Sequence, residues 1–540
     1  MEGGKKEITL EIKSPITLIT LVILFVFFYF NLQATFPNPI VFGDEAFHVT
    51  LSEWMASHEE YPKYVPFEGT ALIREGFYRP PLWNLLLASF YYIFGISDII
   101  PKILTPLITF FLGIAVFVFI KRLYDENAAL IASLLVVAFP SVITYTIFFY
   151  YAALLLLFST LSLLSFLIYI KEENKKFLIL FALFASLALL TNQVALSLYA
   201  LFIIHSGLKF LKEKNLNLIK KLFPSLIILI LIPFGFIIRN LGLYGTPICT
   251  TIPYFHLFNT TDCRLDKFDE KYQFTGQAIP VGTEQTVFSF GLLDYINFAY
   301  GNPWLIALPF SIGFILMYLK RAKEFLVFLI FLILLIAIFP RVSQRAEDTA
   351  RYTLIWSPLF AIVASLFYSE FYKKIKTFNK YLPILVTILI LYFIFIGIME
   401  RTAVLSQIKF AWKDFVESCK KIDKILPKDA TIYTIWGHNA AHSCKRNIAS
   451  NIPDVLLSYD VNYTLKVLKE NKIDYLFIQK SSIDFENRGY ADNYPIKFIE
   501  MLENNKNNFA IIYEDGAPLQ QCLQQRICSG NILYEIKYED

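Results

Sequence analysis

Charged side chains are scarce in this chain. Asp, Glu, Lys and Arg make up 17% of its 540 residues, apolar types reach 56%, and the mean hydropathy is +0.51. A soluble globular chain is about 45–50% apolar, so a soluble protein is excluded. The first apolar run lacks a small-residue cleavage site. It reads as a retained first span rather than a removable leader. No internal repeat is visible, and the apolar runs are nearly free of charge. Both absences count against a transporter, which tends to bury ionisable residues at the midplane, often in repeated halves with broken helices.

What is present is apolar sequence in long runs, with 53 Phe. The runs fall at about 16–36, 99–120, 128–145, 150–170, 177–191, 194–208, 222–239, 303–319, 325–340, 352–370 and 381–399. About 20 apolar residues cross a bilayer as a helix. The stretch 128–170 is too long for one span and reads as a hairpin with a break near Pro140. The run 177–208 breaks at Thr191, Asn192 and Gln193. About eleven spans result. The expected fold is mainly α and polytopic.

Orientation follows from the basic loops. Lys5, Lys6 and Lys13 precede the first span; Lys121 and Arg122, Lys171 and Lys175, Lys209 and Lys212, Lys320 and Arg321, and Lys373 and Lys374 follow alternate spans. All lie on one side, which makes the N-terminus cytoplasmic. The outer side then holds the loops 37–98 and 240–302 and the tail 400–540. "PPLWNLLLASFYYIFG" (80–95) is too short to span; crossing would invert every later loop, so it reads as an interfacial or re-entrant helix.

All six cysteines fall outside: Cys249, Cys263, Cys419, Cys444, Cys522 and Cys528. Disulfides form in such a compartment. The pairs 249–263, 419–444 and 522–528 are plausible, although spacing alone does not fix pairing. The tail 400–540 reads as a small α/β domain. "ATIYTIW", "DYLFIQ", "FAIIYE" and "ILYEIKYE" are predicted strands, and "FAWKDFVESCKKIDKIL" and "NYTLKVLKENK" are predicted helices. It has no Gly-rich phosphate loop and no metal-spaced Cys/His pattern. His438 and His442 in "WGHNAAH" are four apart, a spacing that on a helix would put both on one face as metal ligands, but the neighbouring Gly and Asn argue against a helix. A structural or surface role is expected of them.

The order of elements resembles a known superfamily. An acidic pair in "FGDEAFH" follows the first span, and "YRPPLWNLLLASFYYIFG" follows it in the same loop. "PFGFIIRNLGLYGTPI" closes a later span, "RYTLIWSPLFAIVAS" opens a late one, and an outer tail ends the chain. This resembles the GT-C superfamily of polyprenyl-phosphate-sugar glycosyltransferases, which includes protein O-mannosyltransferases and lipid A aminoarabinose transferases. The likeness covers about residues 16–400 by architecture, and only short motifs match. It implies that Asp44 is the catalytic carboxylate, with Glu45 beside it. Many members carry a second acid at the start of the fourth span. Here "TIFFYYAALLLL" holds tyrosines instead, which leaves a metal-dependent mechanism in doubt. The Trp-Trp-Asp signature of oligosaccharyltransferases is absent, which argues against transfer of whole oligosaccharides to asparagine.

The chemistry suits these residues. A sugar on a lipid phosphate already has a good leaving group. The reaction needs a base for the attacking hydroxyl or amine and cations for the phosphate. Arg341, Arg345 and Arg351 lie in a short outer loop, where the positive-inside rule disfavours them, and Arg239 ends a span on the same side. Guanidinium forks bind phosphate. Arg239, Arg345, Arg351 and the adjoining Tyr352 are therefore candidate substrate contacts, as are His48, four after Asp44, and Arg79. Glu45 could orient a metal or an acceptor, so a divalent cation stays open. The expected function is sugar transfer from a polyprenyl (dolichyl-type) phosphate to a protein, lipid or glycan outside the cytoplasm of the cell membrane, with no nucleic acid involved. A lipid or glycan flippase is the alternative, and a receptor-like tail the third reading.

Overall fold

The computed structural model describes residues 14–40, 43–69, 74–77, 79–149, 151–214, 217–245, 247, 303–338, 354–378, 381–410, 412–450, 459–485 and 493–538. The Arg341–Tyr352 loop, Cys249 and Cys263 lie outside these residues.

A helix occupies each predicted apolar segment. The first is α1 (Pro15–Thr35), with proline at its first position, where no N–H is needed. Two shorter helices, α2 (Gly43–His58) and α3 (Leu82–Phe94), fill the first connecting loop. There follow α4 (Ile99–Leu123), α5 (Glu126–Val137), α6 (Pro140–Ile147), α7 (Ala152–Glu172), α8 (Lys175–Leu189), α9 (Leu196–Glu213) and α10 (Asn217–Tyr244). Then come α11 (Pro303–Lys320), α12 (Ala322–Ile338), α13 (Ser357–Phe378) and α14 (Leu382–Phe410). Among the described residues, five helices are long and apolar enough to cross a bilayer, or six if the bent α5–α6 pair is one span. The protein is a multi-pass membrane protein.

One sequence expectation changes. Pro140 marks a 52° bend between α5 and α6 and does not divide two antiparallel helices. Proline lacks the N–H that would continue the ladder, so a new helix starts on it. The return helix begins at Ala152, and its last turn pairs Glu172 with Arg122 in the last turn of α4 (2.7 Å). The break in 177–208 falls as expected, at the turn before the short 3-10 turn Gln193–Ala195.

Apolar burial drives little helix association inside lipid, so close backbone approach and polar ties matter more. Gly313 on α11 lies against α13: a Cβ there would sit 2.2 Å from the Val363 carbonyl oxygen. Thr109 on α4 shares a hydrogen bond with Thr146 on α6 at 2.8 Å. At one end of the bundle the predicted basic loops are laced by ion pairs. Lys121 meets Glu126, Lys373 meets both Asp125 and Glu370, and Lys320 meets Glu370. Thr17, near the start of α1, donates to Glu126 at the same end.

The opposite end carries a seven-stranded sheet. Its strands, in order across the sheet, are β2 (Arg74–Gly76), β1 (Tyr64–Gly69), β4 (Asn447–Ala449), β3 (Thr431–Tyr433), β5 (Tyr475–Gln479), β9 (Asn531–Ile536) and β8 (Phe509–Glu514). A separate two-stranded ladder joins β6 (Ile483–Asp484) to β7 (Tyr494–Pro495). The first loop thus lends a hairpin to a sheet built mainly from the tail. β1 joins β4 in parallel, with Glu68 opposite Ile448.

Alternation explains the packing. Leu476 and Ile478 of β5 enter one core with Ile532 and Tyr534 of β9, while Phe477 and Leu533 enter another. A strand buried on both faces reads as a continuous apolar run, as "YLFI" does. The helices of this region are α15 (Lys413–Ile425), α16 (Gly437–Cys444), α17 (Val461–Glu470), α18 (Ile496–Asn504) and α19 (Leu519–Gln525). Disulfides join Cys419 to Cys444 and Cys522 to Cys528, matching two of the three expected pairs. The "WGHNAAH" stretch is helical after all. Gly437 occupies the first turn of α16, where glycine costs less than in a helix interior, and Cys444 fastens the last turn to α15.

Candidate active site

Asp44 and Glu45 occupy the first turn of α2, where the helix dipole favours acids. Neighbours on a helix point about 100° apart, and these two meet different surroundings. Asp44 keeps 20% of its side chain exposed and lies 3.5 Å from an Arg79 guanidinium nitrogen. Arg79 in turn stacks over the Phe47 ring at 4.2 Å, a cation–π contact that fixes its fork beside the acid.

Glu45 is sealed inside. Its Oε1 accepts from Lys409 Nζ at 2.7 Å, and both side chains are essentially unexposed. Lys409, at the end of α14, also donates to the Ile147 carbonyl at 2.9 Å and lies over the Phe149 ring. One buried ion pair therefore gathers α2, α6 and α14.

His48 stands one turn after Asp44 and is also buried. Its Nδ1 donates to Asn84 Oδ1 on α3 at 2.7 Å, and its ring meets Tyr151 edge-on at 5.3 Å. Burial first, and then the Arg79 charge, push its pKa down to about 3, against the opposing pull of Asp44 and the Asn84 hydrogen bond. The ring is neutral at ordinary pH and serves to lock α2 onto α3. The sheet region closes over this corner, where His438 of α16 packs edge-on against Phe47 at 5.0 Å.

Arg239 lies at the end of α10, as expected, but its guanidinium serves the loop. It donates to the carbonyls of Phe77 at 3.0 Å and Pro62 at 2.6 Å, and stacks over Tyr61. Arg345, Arg351 and Tyr352 lie outside the described residues. Asp44, Glu45, His48 and Arg79 thus come together, while Arg239 braces the strand that leads to them. Sequence reasoning missed Lys409 and Asn84, and named His438 without placing it at this corner. Lys409 had a signal: a lysine ten residues past a predicted span, on the side expected to be outer, against the positive-inside rule.

The acid pair does not fit a shared metal ion. Glu45 is committed to Lys409 in the interior and Asp44 faces Arg79, so the two carboxylates do not converge. What the corner offers is one accessible carboxylate, one guanidinium and a rigid wall behind them.

The comparisons with known proteins agree with this architecture. The family model for dolichyl-phosphate-mannose-protein mannosyltransferases matches residues 78–237. No curated protein sequence matches the chain at a significant level. Among solved structures, the oligosaccharyltransferase of Archaeoglobus fulgidus in its apo form is similar over 94% of this chain and 81% of its own, with 12% identity and a TM-score of 0.59. ArnT from Cupriavidus metallidurans, solved bound to undecaprenyl phosphate, is similar over 96% of this chain and 97% of its own, with 12% identity and a TM-score of 0.59. The mycobacterial arabinofuranosyltransferase AftD is similar over 96% of this chain but 40% of its own, with 10% identity and a TM-score of 0.53. The chain therefore has the fold of the GT-C membrane glycosyltransferases, which its sequence motifs resemble.

Proposed function

We propose that this protein transfers a sugar from a polyprenyl phosphate to an acceptor outside the cytoplasm, with Asp44 as the base. The carrying observation is the Asp44–Arg79 pair: a part-exposed carboxylate and a guanidinium, 3.5 Å apart, at the end of the bundle away from the basic loops. A similar fold has been solved with undecaprenyl phosphate, and the Archaeoglobus enzyme with an inhibitory peptide and a dolichol-phosphate.

In this reading the acceptor hydroxyl or amine attacks the anomeric carbon. The bond from that carbon to the phosphate oxygen breaks, and the lipid phosphate leaves with the electron pair. The acceptor proton passes to Asp44. Arg79 exchanges its loose pairing with Asp44 for the departing phosphate, which it can grip with two N–H groups. Arg345, Arg351 and Tyr352 are proposed to hold the same phosphate from the other loop. Glu45 acts as a positioning residue: it anchors the first turn of α2 through Lys409. His48 positions α2 against α3. No metal-dependent step is needed.

The topology belongs to the same proposal: eleven spans, a cytoplasmic N-terminus, a catalytic membrane region over 1–399, and an outer α/β domain over 400–540. The ion-paired basic end, which includes the start of α1, supports that orientation.

The test is transfer of labelled sugar from polyprenyl phosphate in membranes. Asp44→Asn keeps size and removes the base. Loss of general-base help is typically about 10²–10⁴-fold, so transfer should fall by that amount while the protein still inserts. Near-normal transfer by well-expressed Asp44→Asn would remove Asp44 from the mechanism. A flippase would instead move lipid across vesicles without forming a sugar–acceptor product.

A further inference from the structure

A second group of ligating side chains lies apart from Asp44. Glu53 sits on α2 nine residues after Asp44, about 13 Å further along the helix. Asp98 immediately precedes α4. His442 comes from α16, in the sheet region. One ring nitrogen of His442 and one oxygen from each carboxylate all lie within 4.8 Å of one another.

The spacing is informative. His442 Nδ1 is 3.8 Å from Glu53 Oε1, and Nε2 is 3.7 Å from Asp98 Oδ1. Both are too long for hydrogen bonds. The residue is only 6% exposed, and its Nδ1 has no hydrogen-bond partner among the described residues. A buried polar atom left in this state is costly. A tetrahedral ion with bonds of about 2.0–2.2 Å holds its ligand atoms roughly 3.3–3.6 Å apart. The two distances run to opposite ring nitrogens and an imidazole gives an ion one of them, so the ring must turn and the donor atoms, all within 4.8 Å of one another, must close by up to about 1.5 Å to share one ion.

We propose that Glu53, Asp98 and His442 bind one divalent transition-metal ion, with zinc the best match. The donor set decides the class. Imidazole with carboxylates suits zinc and its neighbours, whereas magnesium and calcium prefer oxygen alone. Lys445 holds Glu53 Oε2 at 2.8 Å, which orients the carboxylate and leaves Oε1 for the ion. The Asp98 side chain is 53% exposed, so the ion has a path in from solvent and a position for water.

The ion acts as a clasp. It joins α2 and the start of α4 to a helix more than 300 residues further along the chain, on the face where α16 covers the candidate active site. The Cys419–Cys444 disulfide fixes α16 two residues past His442, so one ligand is already held in place.

The test uses the full-length protein in detergent, stripped with a chelator and titrated with zinc alone against a chromophoric competitor, with bound metal counted by mass spectrometry. About one zinc per chain is expected, with a rise in Tm. Asp98→Asn and His442→Gln should each weaken binding at least about tenfold and abolish the rise; a ligand's supporting partner alone is typically worth 10–100-fold. Asp98 lies on an exposed turn, so its variant folds even if His442→Gln does not. Asp44→Asn should bind zinc like wild type, which keeps this proposal separate from the catalytic one. Stripped wild type that takes up no zinc at micromolar concentration, or Asp98→Asn with unchanged affinity, overturns it.

Discussion

Adjacent acids with opposite surroundings should fail differently. Glu45→Gln leaves Lys409 buried without its counter-ion, and breaking one side of a buried pair costs about 3–5 kcal/mol. The expected result is poor accumulation and a low Tm, where Asp44→Asn gives a folded, inactive protein. The double variant Glu45→Leu/Lys409→Met removes both charges and should recover much of the lost Tm, because apolar replacement of a buried pair is often neutral or better. Failure of that recovery would mean that the pair does more than position α2. His48 makes a pH prediction. Its folded pKa, about 3, lies below its ordinary value of 6.5. Between these values the unfolded ring holds a proton that the folded ring does not, so acid favours unfolding. Stability should fall as pH drops from 6.5 towards 3, by up to about 1.4 kcal/mol per pH unit from this group. His48→Asn should flatten that part of a Tm-against-pH curve. At this scale the sequence named Asp44, Glu45, His48 and Arg79, and the structure brings Arg79 to Asp44 while tying His48 to Asn84. The sequence did not show that Glu45 points inward, because its partner Lys409 lies 364 residues away.

At the scale of elements, α11 and α13 depend on a residue with no side chain. Gly313→Ala would place a methyl group 2.2 Å from the Val363 carbonyl oxygen. The helices must part, at a cost of about 1–3 kcal/mol for overpacking. Gly397, on α14, has nothing within 4 Å of the equivalent point. Gly397→Ala should be neutral or slightly stabilising, since alanine is better in a helix by roughly 0.5–1 kcal/mol. Equal Tm values for the two variants would contradict the close approach. Elements with a strong period were legible: the long apolar helices and β5, β8 and β9 lie where their patterns put them. The bend at Pro140 was visible as a break but not as a bend within one course of chain. Helix α16 was hidden because its glycine and asparagine speak against a helix locally, while a disulfide and packing from distant segments decide the outcome.

For the whole molecule, orientation is the prediction that matters. Cysteines introduced at Glu60 and Asn505 should react with an impermeant reagent in intact cells, and one at Asn174 should react only after permeabilisation. The opposite pattern would place Asp44 in the cytoplasm and end the proposed mechanism. A proposal for the sidedness was readable from lysine placement, because charge in short loops is a local signal. The joining of the first loop to the tail was not. A strand as short as Tyr64–Gly69, interrupted by proline, carries no mark of the partner it will pair with.

That joining has a consequence for how the protein is made. β4 leaves the ribosome about 380 residues after β1. At about 5–20 residues per second, the first loop waits roughly 20–80 s for its partner strand. During that time α2 and the Asp44 corner have no cover from α16, and β1 keeps one edge unpaired. The cover over the Asp44 corner is therefore made late in the life of the nascent chain. A product truncated before Asn447 would insert its helices in the membrane and still lack a finished site, and a chaperone that shields lone strand edges would be needed most by the segment made almost first.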